Sequence, residues 1–147
     1  MPRLSDVEGL QIVSLHAAMR AIVVTAAIVE RDGRFLMTRR VKGAHLEGYW
    51  EFPGGKCDAG ESLEACLLRE LREELAVDAV IGEQVLSTSH EYPDRRVELH
   101  FFRVSLRESP APQLGQEMQW VARADLPSLK LPPADDELVA LLTRDER

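Results

Sequence analysis

The chain has 147 residues, 45% hydrophobic residues and a formal net charge of −7, values that fit one globular domain. The acidic balance, with no basic tract, argues against binding to a nucleic-acid polymer. No run of 18 apolar residues is present, and the first twenty residues lack the basic start and apolar core of a signal peptide, so we expect a soluble, cytoplasmic protein without membrane contact.

Hydrophobic patterning predicts a strand-rich chain with two helices. Strands are expected over residues 21–29, 34–38, 49–52, 77–86, 96–104 and 118–121. Asp32 and Gly33 predict a hairpin turn after the first strand, and polar or proline-rich stretches predict loops over 40–48 and 109–112. Helices are expected over 63–75 and 136–142, and residues 1–18 stay unassigned. Strands between two helices favour a mixed sheet covered by helices.

The first predicted helix carries an unusual cluster of charge. Glu70, Glu73 and Glu74 stand at positions i, i+3 and i+4, so their side chains share one face. Leucines at helical spacing mark the core-facing side. Because neighbouring carboxylates repel, a positive partner is expected over the acidic face.

A glycine turn precedes this helix. Residues 52–55 read Phe-Pro-Gly-Gly, and a backbone without a Cβ atom can approach a ligand closely. Carboxylates together with a backbone carbonyl are hard oxygen ligands, the set that suits Mg²⁺ or Mn²⁺.

The spacing of the turn and the helix resembles the Nudix box, a glycine followed at fixed intervals by one glutamate and an R-E-U-x-E-E-x-G-U run. The matching residues are Gly55, Glu61, Arg69, Glu70, Leu71, Glu73, Glu74 and Val77. Ala76 departs from the family, which has glycine there as a left-handed helix cap; a non-glycine residue pays about 1–2 kcal/mol for that conformation. The resemblance implies the Nudix α/β/α sandwich with a mixed central sheet, formed by residues 19–147 after an N-terminal extension of residues 1–18.

Four further segments resemble the MutT-like nucleoside triphosphate pyrophosphohydrolases of this family. They are W-E-F-P-G-G-K at 50–56, T-R-R with a histidine five residues later at 38–45, E-Y-P-D-R at 91–95, and L-P-P-A-D at 131–135. Their occurrence in family order predicts this subfamily better than any one of them.

The resemblance implies a metal site and its supports. The ligands of Mg²⁺, with Mn²⁺ as an alternative, would be the Gly54 carbonyl and the carboxylates of Glu70, Glu73 and Glu74. Arg69 is expected to orient the glutamates by ion pairing, Glu61 to support the loop, and Lys56 to contact a phosphate.

The chain differs from the MutT-like enzymes at the position expected for the general base. They often carry a glutamate just before a Gly-Gln pair, whereas Leu114 precedes Gly115 and Gln116 here. Glu73 and Glu117 remain as candidates, and Glu73 is favoured.

Residues outside the box are predicted to hold the nucleotide. Arg40 and Arg95 offer planar donor forks for phosphate or a purine edge, and Tyr92 offers a stacking face. His45 is either a phosphate or sugar donor or an ordinary surface histidine.

Asp135 is the expected reader of the base and an alternative helix N-cap. Relatives specific for oxidised guanine are expected to have asparagine there, and an ionised aspartate would instead favour the exocyclic amine of cytosine. The pair Asp135 and Asp136 also resembles the paired aspartates of animal oxidised-purine triphosphatases. The first predicted substrate is therefore 8-oxo-dGTP, and the second is CTP or a modified dCTP.

The sequence thus predicts an enzyme that cleaves nucleoside triphosphates to monophosphate and pyrophosphate, sanitising the nucleotide pool in support of DNA repair. A Nudix hydrolase of ADP-ribose or a dinucleoside polyphosphate, and a non-catalytic nucleotide sensor, are the alternatives. A monomer and a homodimer are both compatible with the chain. Cys57 and Cys66 show neither zinc spacing nor a disulfide framework, so they are expected to be reduced thiols.

Overall fold

The computed structural model describes residues 21–144, so the predicted extension 1–18 lies outside the described part. The strands are β1 (Ala21–Ile28), β2 (Glu30–Arg31), β3 (Arg34–Arg39), β4 (Trp50–Glu51), β5 (Gly54–Lys56), β6 (Ala79–Tyr92), β7 (Arg95–Leu106) and β8 (Met118–Ala122). The helices are α1 (Leu63–Leu75) and α2 (Asp136–Arg144), with 3₁₀ turns over Arg123–Ser128 and Pro133–Asp135. Within the described residues, no helix combines the length and apolar character needed to cross a membrane.

The first sheet has the strand order β5-β1-β7-β6. β1 runs parallel to β7, and the other neighbours pair antiparallel, which confirms the predicted mixed sheet. Its strand β5 pairs with β1 through Thr25 opposite Gly55 and Ala26 opposite Gly54. The glycine turn predicted from the sequence is therefore a short edge strand beside the central strand.

The second sheet is built around β3, which pairs antiparallel with β2, β4 and β8. The β2–β3 hairpin turns at Asp32 and Gly33, whose φ angles of 54° and 76° are those of a type I′ turn. This turn was predicted from the Asp-Gly pair and is confirmed.

Two apolar cores lie on opposite faces of β1, because its side chains alternate between them. Ala27, together with Val29 just after the strand, packs with α1, whereas Ala26 and Ile28 pack with α2. This arrangement is the expected α/β/α sandwich, and α1 matches its predicted bounds.

Strands β6 and β7 are longer than the sequence predicted. They form one hairpin that reaches Tyr92 and Arg95, with register irregularities between Ile81 and Leu86. The outer half of β6 has no strong apolar alternation, and its extended form is supported by ladder hydrogen bonds to β7. The extra length brings the tip of the hairpin toward the site described next.

Candidate active site

Helix α1 is fixed at both ends by caps. The Ser62 hydroxyl accepts a hydrogen bond from the Ala65 amide at 3.1 Å, and the Ala76 amide donates to the Arg72 carbonyl at 3.0 Å. Ala76 adopts the left-handed conformation, φ 52° and ψ 44°, although it has a Cβ atom. The helix thus ends with the geometry that the family's glycine favours, at the energetic cost that alanine carries there.

The two glycines of β5 let α1 and β1 approach the turn. A Cβ atom on Gly55 would collide with the Glu70 carboxylate, and one on Gly54 would collide with the Thr25 carbonyl oxygen. Gly54 also has a φ angle of 158°. The sequence predicted that these glycines let a ligand approach closely; in the structure they are required for the packing of β5 against α1 and β1.

Arg69 is the centre of an ion-pair network. Its guanidinium donates to Glu61 at 2.7 and 2.9 Å, to Glu70 at 2.9 Å, and to Glu73 at 3.0 and 3.1 Å. It also donates to the Lys56 carbonyl at 3.0 Å. The Arg69 hydrogen bonds, followed by the Asp58 amide, lower the pKa of Glu61 to about 2. Arg69 thereby joins the loop after β5 to the acidic face of α1.

Glu74 is buried and, among the hydrogen bonds within residues 21–144, receives none from Arg69. It accepts a hydrogen bond from the Gly54 amide at 3.1 Å. Burial first, and then the neighbouring carboxylates of Glu51 and Glu70, raise the pKa of Glu74 to about 8. Burial also raises the pKa of Glu70, against the lowering effect of Arg69. A low dielectric environment and mutual repulsion both disfavour charge on these groups.

The acidic residues fit a divalent cation by their chemistry rather than by a closed cage. Within residues 21–144, no three acidic, histidine or cysteine side chains already converge as a metal site. The donors are carboxylate oxygens beside a glycine backbone. A bound cation would offset the repulsion between the carboxylates of Glu70 and Glu74. The Glu73 side chain is 54% exposed and can therefore be reached from solvent. Glu70, Glu73, Glu74 and the Gly54 carbonyl therefore remain the predicted ligands.

A cleft of about 460 Å³ opens beside this region, a size suited to a small ligand. Its box end is lined by Gly54, Gly55 and Lys56, next to α1. Its other end is called the base end, because the nucleobase is predicted to bind there, and it is lined by Tyr92, Arg95 and Asp135. Every substrate-binding residue predicted from the sequence lines this one cleft: Arg40, His45, Lys56, Tyr92, Arg95 and Asp135.

The base end contains one buried carboxylate. Asp135 is 4% exposed, and burial, followed by the charges of Glu51 and Asp136, raises its pKa to about 7. Among the hydrogen bonds within residues 21–144, none joins its carboxylate to α2, which begins one residue later. Tyr92 lies beside it, and burial and the charge of Asp135 raise the pKa of the phenol. His45 meets the Tyr92 ring edge-on, with centroids 5.8 Å apart.

Glu51 is a site residue to which sequence reasoning gave no role. Its carboxylate accepts a hydrogen bond from Arg40 Nη1 at 2.9 Å, while Arg40 Nε donates to the His45 carbonyl. Burial raises the pKa of Glu51, opposed by Arg40. The available signal was a single acidic residue between Trp50 and Phe52, in a strand otherwise suited to the core.

The two candidates for the general base differ in position. Glu117 forms an ion pair with Arg39 at 3.1 Å and lines a separate depression, not the cleft. Leu114 is 61% exposed, and its loop is held on α1 by Gln116, whose side-chain amide donates to the Glu74 carbonyl at 3.0 Å. Glu73 does not line the cleft either, but Arg69 joins it to the Lys56 carbonyl at the box end, so it remains the predicted base.

The expectation of two free thiols was wrong. Cys57 and Cys66 are joined as a disulfide, with their Cα atoms 5.2 Å apart. The sequence separation of nine residues did not indicate this, because Cys57 reaches the first turn of α1 only when β5 packs against the helix in the folded protein.

Comparison with known proteins agrees with the geometry. A family model described as NUDIX domain matches residues 24–141. CTP pyrophosphohydrolase of Escherichia coli K12 is 38% identical over 122 residues, which cover 82% of this chain and 90% of that protein. The 8-oxo-dGTP diphosphatase of the same organism is 31% identical, covering 86% of this chain and 99% of that protein.

Solved structures give the same picture. The E. coli ORF135 protein superimposes with a TM-score of 0.77 at 36% identity, covering 89% of this chain and 96% of that chain. A MutT structure from work on Aliivibrio salmonicida and Vibrio cholerae gives a TM-score of 0.68 at 30% identity, covering 85% and 98%. The predicted family and fold are thereby confirmed.

Proposed function

The chain belongs to the Nudix hydrolase family, and we propose that it is a Mg²⁺-dependent nucleoside triphosphate pyrophosphohydrolase of the MutT-like type. One observation carries this proposal: a single cleft joins the Nudix-box turn to the residues predicted to hold a nucleotide. Relatives with CTP and with 8-oxo-dGTP in their names both cover most of the chain. The products would be a nucleoside monophosphate and pyrophosphate.

The box end would hold the metal and the phosphates. Glu70, Glu73, Glu74 and the Gly54 carbonyl would ligate Mg²⁺, which when bound neutralises charge on the triphosphate and lowers the pKa of a bound water. Arg69 holds Glu70 and Glu73 in place, and Glu61 holds Arg69 on its other side. Lys56 at the cleft wall would contact a phosphate.

The reacting water loses its proton to a carboxylate of the chain. We assign this role to Glu73, which lies beside the box end and is the most exposed of the three α1 glutamates in the set. The water oxygen bonds to the β-phosphorus, as the family resemblance implies. The bond from that phosphorus to the oxygen bridging it to the α-phosphate breaks, and the nucleoside monophosphate leaves.

The residues of the base end would determine which nucleotide is preferred as substrate. Tyr92 offers a ring for stacking, and Arg40, held by Glu51 and the His45 carbonyl, lines the same cleft. Asp135 has a pKa of about 7, so its protonated form predominates below that pH and its ionised form above it. The protonated form can donate to the O6 atom of an oxidised guanine, whereas the ionised form accepts from the cytosine amine.

We therefore keep 8-oxo-dGTP as the first substrate and CTP or a modified dCTP as the second, with the balance set by the protonation of Asp135. The second candidate is favoured by the 38% identity to the CTP pyrophosphohydrolase. The proposed setting is the cytoplasm, with free nucleotides and not nucleic-acid polymers as partners. Monomer and homodimer are to be distinguished by light scattering.

The test is turnover of a nucleotide panel with Mg²⁺, with detection of monophosphate and pyrophosphate. The panel contains 8-oxo-dGTP, dGTP, CTP, 5-methyl-dCTP and ADP-ribose, and is run at pH 6 and pH 8.5. We expect the ratio of 8-oxo-dGTP to CTP turnover to be higher at pH 6 in the wild type and to lose this pH dependence in Asp135→Asn. Exclusive turnover of ADP-ribose would overturn the proposal, and tight nucleotide binding without any turnover would favour the sensor.

A further inference from the structure

The two cysteines of the chain lie at the junction between the metal loop and the box helix. Here the metal loop means residues 54–61, from β5 to the turn before α1. Cys57 directly follows β5, and Cys66 lies in the first turn of α1. Their Cα separation of 5.2 Å is within the range that an unstrained disulfide requires, and the structure joins their sulfur atoms.

Cys66 also contacts the strand pair that carries the glycine turn. Its sulfur lies 3.2 Å from the Thr25 hydroxyl, and Thr25 is the register partner of Gly55. The same sulfur is 3.8 Å from the Gly55 carbonyl oxygen, a partner that only a thiol can use as an acceptor. The Thr25 hydroxyl can therefore donate to the sulfur in either form, and the Gly55 carbonyl can accept from the thiol form.

Several polar interactions also hold the metal loop on α1. Arg69 donates to the Lys56 carbonyl at 3.0 Å and to Glu61, and the Gly54 amide donates to Glu74 at 3.1 Å. These polar interactions can open individually, whereas a covalent bond between Cys57 and Cys66 cannot. The redox state of the pair thus decides whether the loop is joined to the helix by a permanent bond.

We propose that Cys57 and Cys66 are a redox-responsive site, whose oxidation locks the metal loop onto α1 and whose reduction releases it. The locked form would bind a divalent cation more tightly, because its loop is ordered before the metal arrives. This effect on metal binding rests on the proposed metal site, whereas the locking itself does not.

The oxidant belongs to the class of peroxides. Cys57 is partly exposed and Cys66 is fully buried, so Cys57 reacts first. Its thiolate sulfur takes one peroxide oxygen to become a sulfenic acid, and the other oxygen leaves as water or alcohol. The Cys66 sulfur then displaces the sulfenic oxygen as a second water, so two electrons pass from the two thiols to one peroxide. A dithiol reductant reverses the change by thiol–disulfide exchange.

The test compares the wild type after hydrogen peroxide with the wild type after a dithiol reductant, both freed of reagent. We expect a peptide cross-linked between Cys57 and Cys66 only after peroxide, by mass spectrometry with thiol alkylation. Amide hydrogen exchange over residues 54–61 should be slower in the oxidised form. Its melting temperature should be higher by roughly 5–10 °C, from the entropy lost by a crosslinked unfolded chain.

Metal binding is measured separately, as the Mn²⁺ dissociation constant by electron paramagnetic resonance. We expect it to be roughly tenfold lower in the oxidised form, since one pre-ordered loop residue accounts for a change of that size. Cys57→Ser is the matched variant, because it leaves the buried Cys66 in the core. It should behave as the reduced wild type after either treatment.

Absence of the cross-linked peptide after peroxide would overturn the proposal, as would a cross-link that leaves hydrogen exchange over 54–61 unchanged. Mn²⁺ binding that is absent in both redox states would instead overturn the proposed metal site. In that case the hydrogen-exchange result still decides whether the loop is locked, so the two failures are distinguishable.

Discussion

The two ends of the cleft differ in the partners of their carboxylates, although burial raises the pKa of Glu70 and Glu74 at the box end as it does that of Asp135 at the base end. At the box end, Arg69 supplies hydrogen bonds that hold Glu61, Glu70 and Glu73, and it lowers the pKa of Glu61 to about 2. At the base end, Asp135 is buried without an ionic partner among the described residues, and its pKa rises to about 7. The lowered pKa keeps Glu61 ionised as the partner of Arg69, whereas a carboxyl without an ionic partner that changes protonation near neutral pH suits the choice between hydrogen-bonding patterns.

The largest expected effect concerns the general base at the box end. Glu73→Gln should lower kcat by about 10²–10⁴-fold, because the amide cannot take the water's proton. Glu117→Gln is the matched control and should change kcat less than twofold, roughly the scale of a surface substitution, because Glu117 pairs with Arg39 outside the cleft. The measurement is steady-state release of pyrophosphate, and an equal loss in the two variants would contradict the assignment.

The second prediction tests the base end through stability. The pKa of Asp135 is raised from 3.8 to about 7 in the folded protein, so the native state binds the extra proton between these values. Its contribution to the free energy of unfolding is present below pH 4 and is lost as the pH rises through 7. Asp135→Asn should therefore unfold at a higher urea concentration at pH 8, with a gain on the order of 2–4 kcal/mol, and with little gain at pH 4.

Asp125→Asn controls this experiment, because Asp125 is exposed and is not among the charges that raise the pKa of Asp135. It should change the free energy of unfolding by less than about 0.5 kcal/mol at either pH. A pH dependence of the same size in Asp135→Asn and the wild type would show that Asp135 is not the buried titrating group.

The third prediction separates the network of Arg69 from ordinary helix charge. Arg69→Ala should lower kcat/KM roughly 10–100-fold, about 1.4–2.7 kcal/mol, because Glu70 and Glu73 would repel without their shared donor. Arg72→Ala lies on the same helix, removes only an exposed pair with Asp78, and should have little effect on kcat/KM. Equal kcat/KM in the two variants would show that the Arg69 network does not support catalysis.

The smallest effect concerns the end of the helix that carries the box. Ala76→Gly should raise the free energy of unfolding by about 0.5–1 kcal/mol, since the left-handed conformation at φ 52° strains alanine but not glycine. The gain should appear in thermal melting without any change in KM, because Ala76 is outside the cleft. A loss of stability would mean that the entropy of glycine in the unfolded chain outweighs the relief of strain.

Local spacing explains how much of the box end the sequence predicted. The bounds of α1, the shared face of its glutamates and the hairpin at Asp32 all follow from residues a few positions apart. The glycine turn was also predicted, although its pairing with β1 as a short strand was not. Short-range rules work here because the interactions that fix these features are themselves short-range.

The base end could be predicted only through family motifs. Arg40, Tyr92 and Asp135 are far apart in the chain and lie in one cleft because β3, the β6–β7 hairpin and the last 3₁₀ turn meet there. The role of Glu51 as the partner of Arg40 was missed for the same reason, since ion pairing across a loop has no signature in the linear pattern.

By itself, the sequence determined the family and the box helix, and it predicted which residues would bind metal, because the spacing of the glutamates along one helix is a local property. Only the tertiary structure decided how these groups are used. The tertiary packing buried Asp135 and shifted its pKa, placed Glu117 with Arg39 outside the cleft, and brought Cys57 to Cys66. Burial and pairing depend on which distant segments meet, and that is settled by packing of the whole core rather than by neighbouring residues.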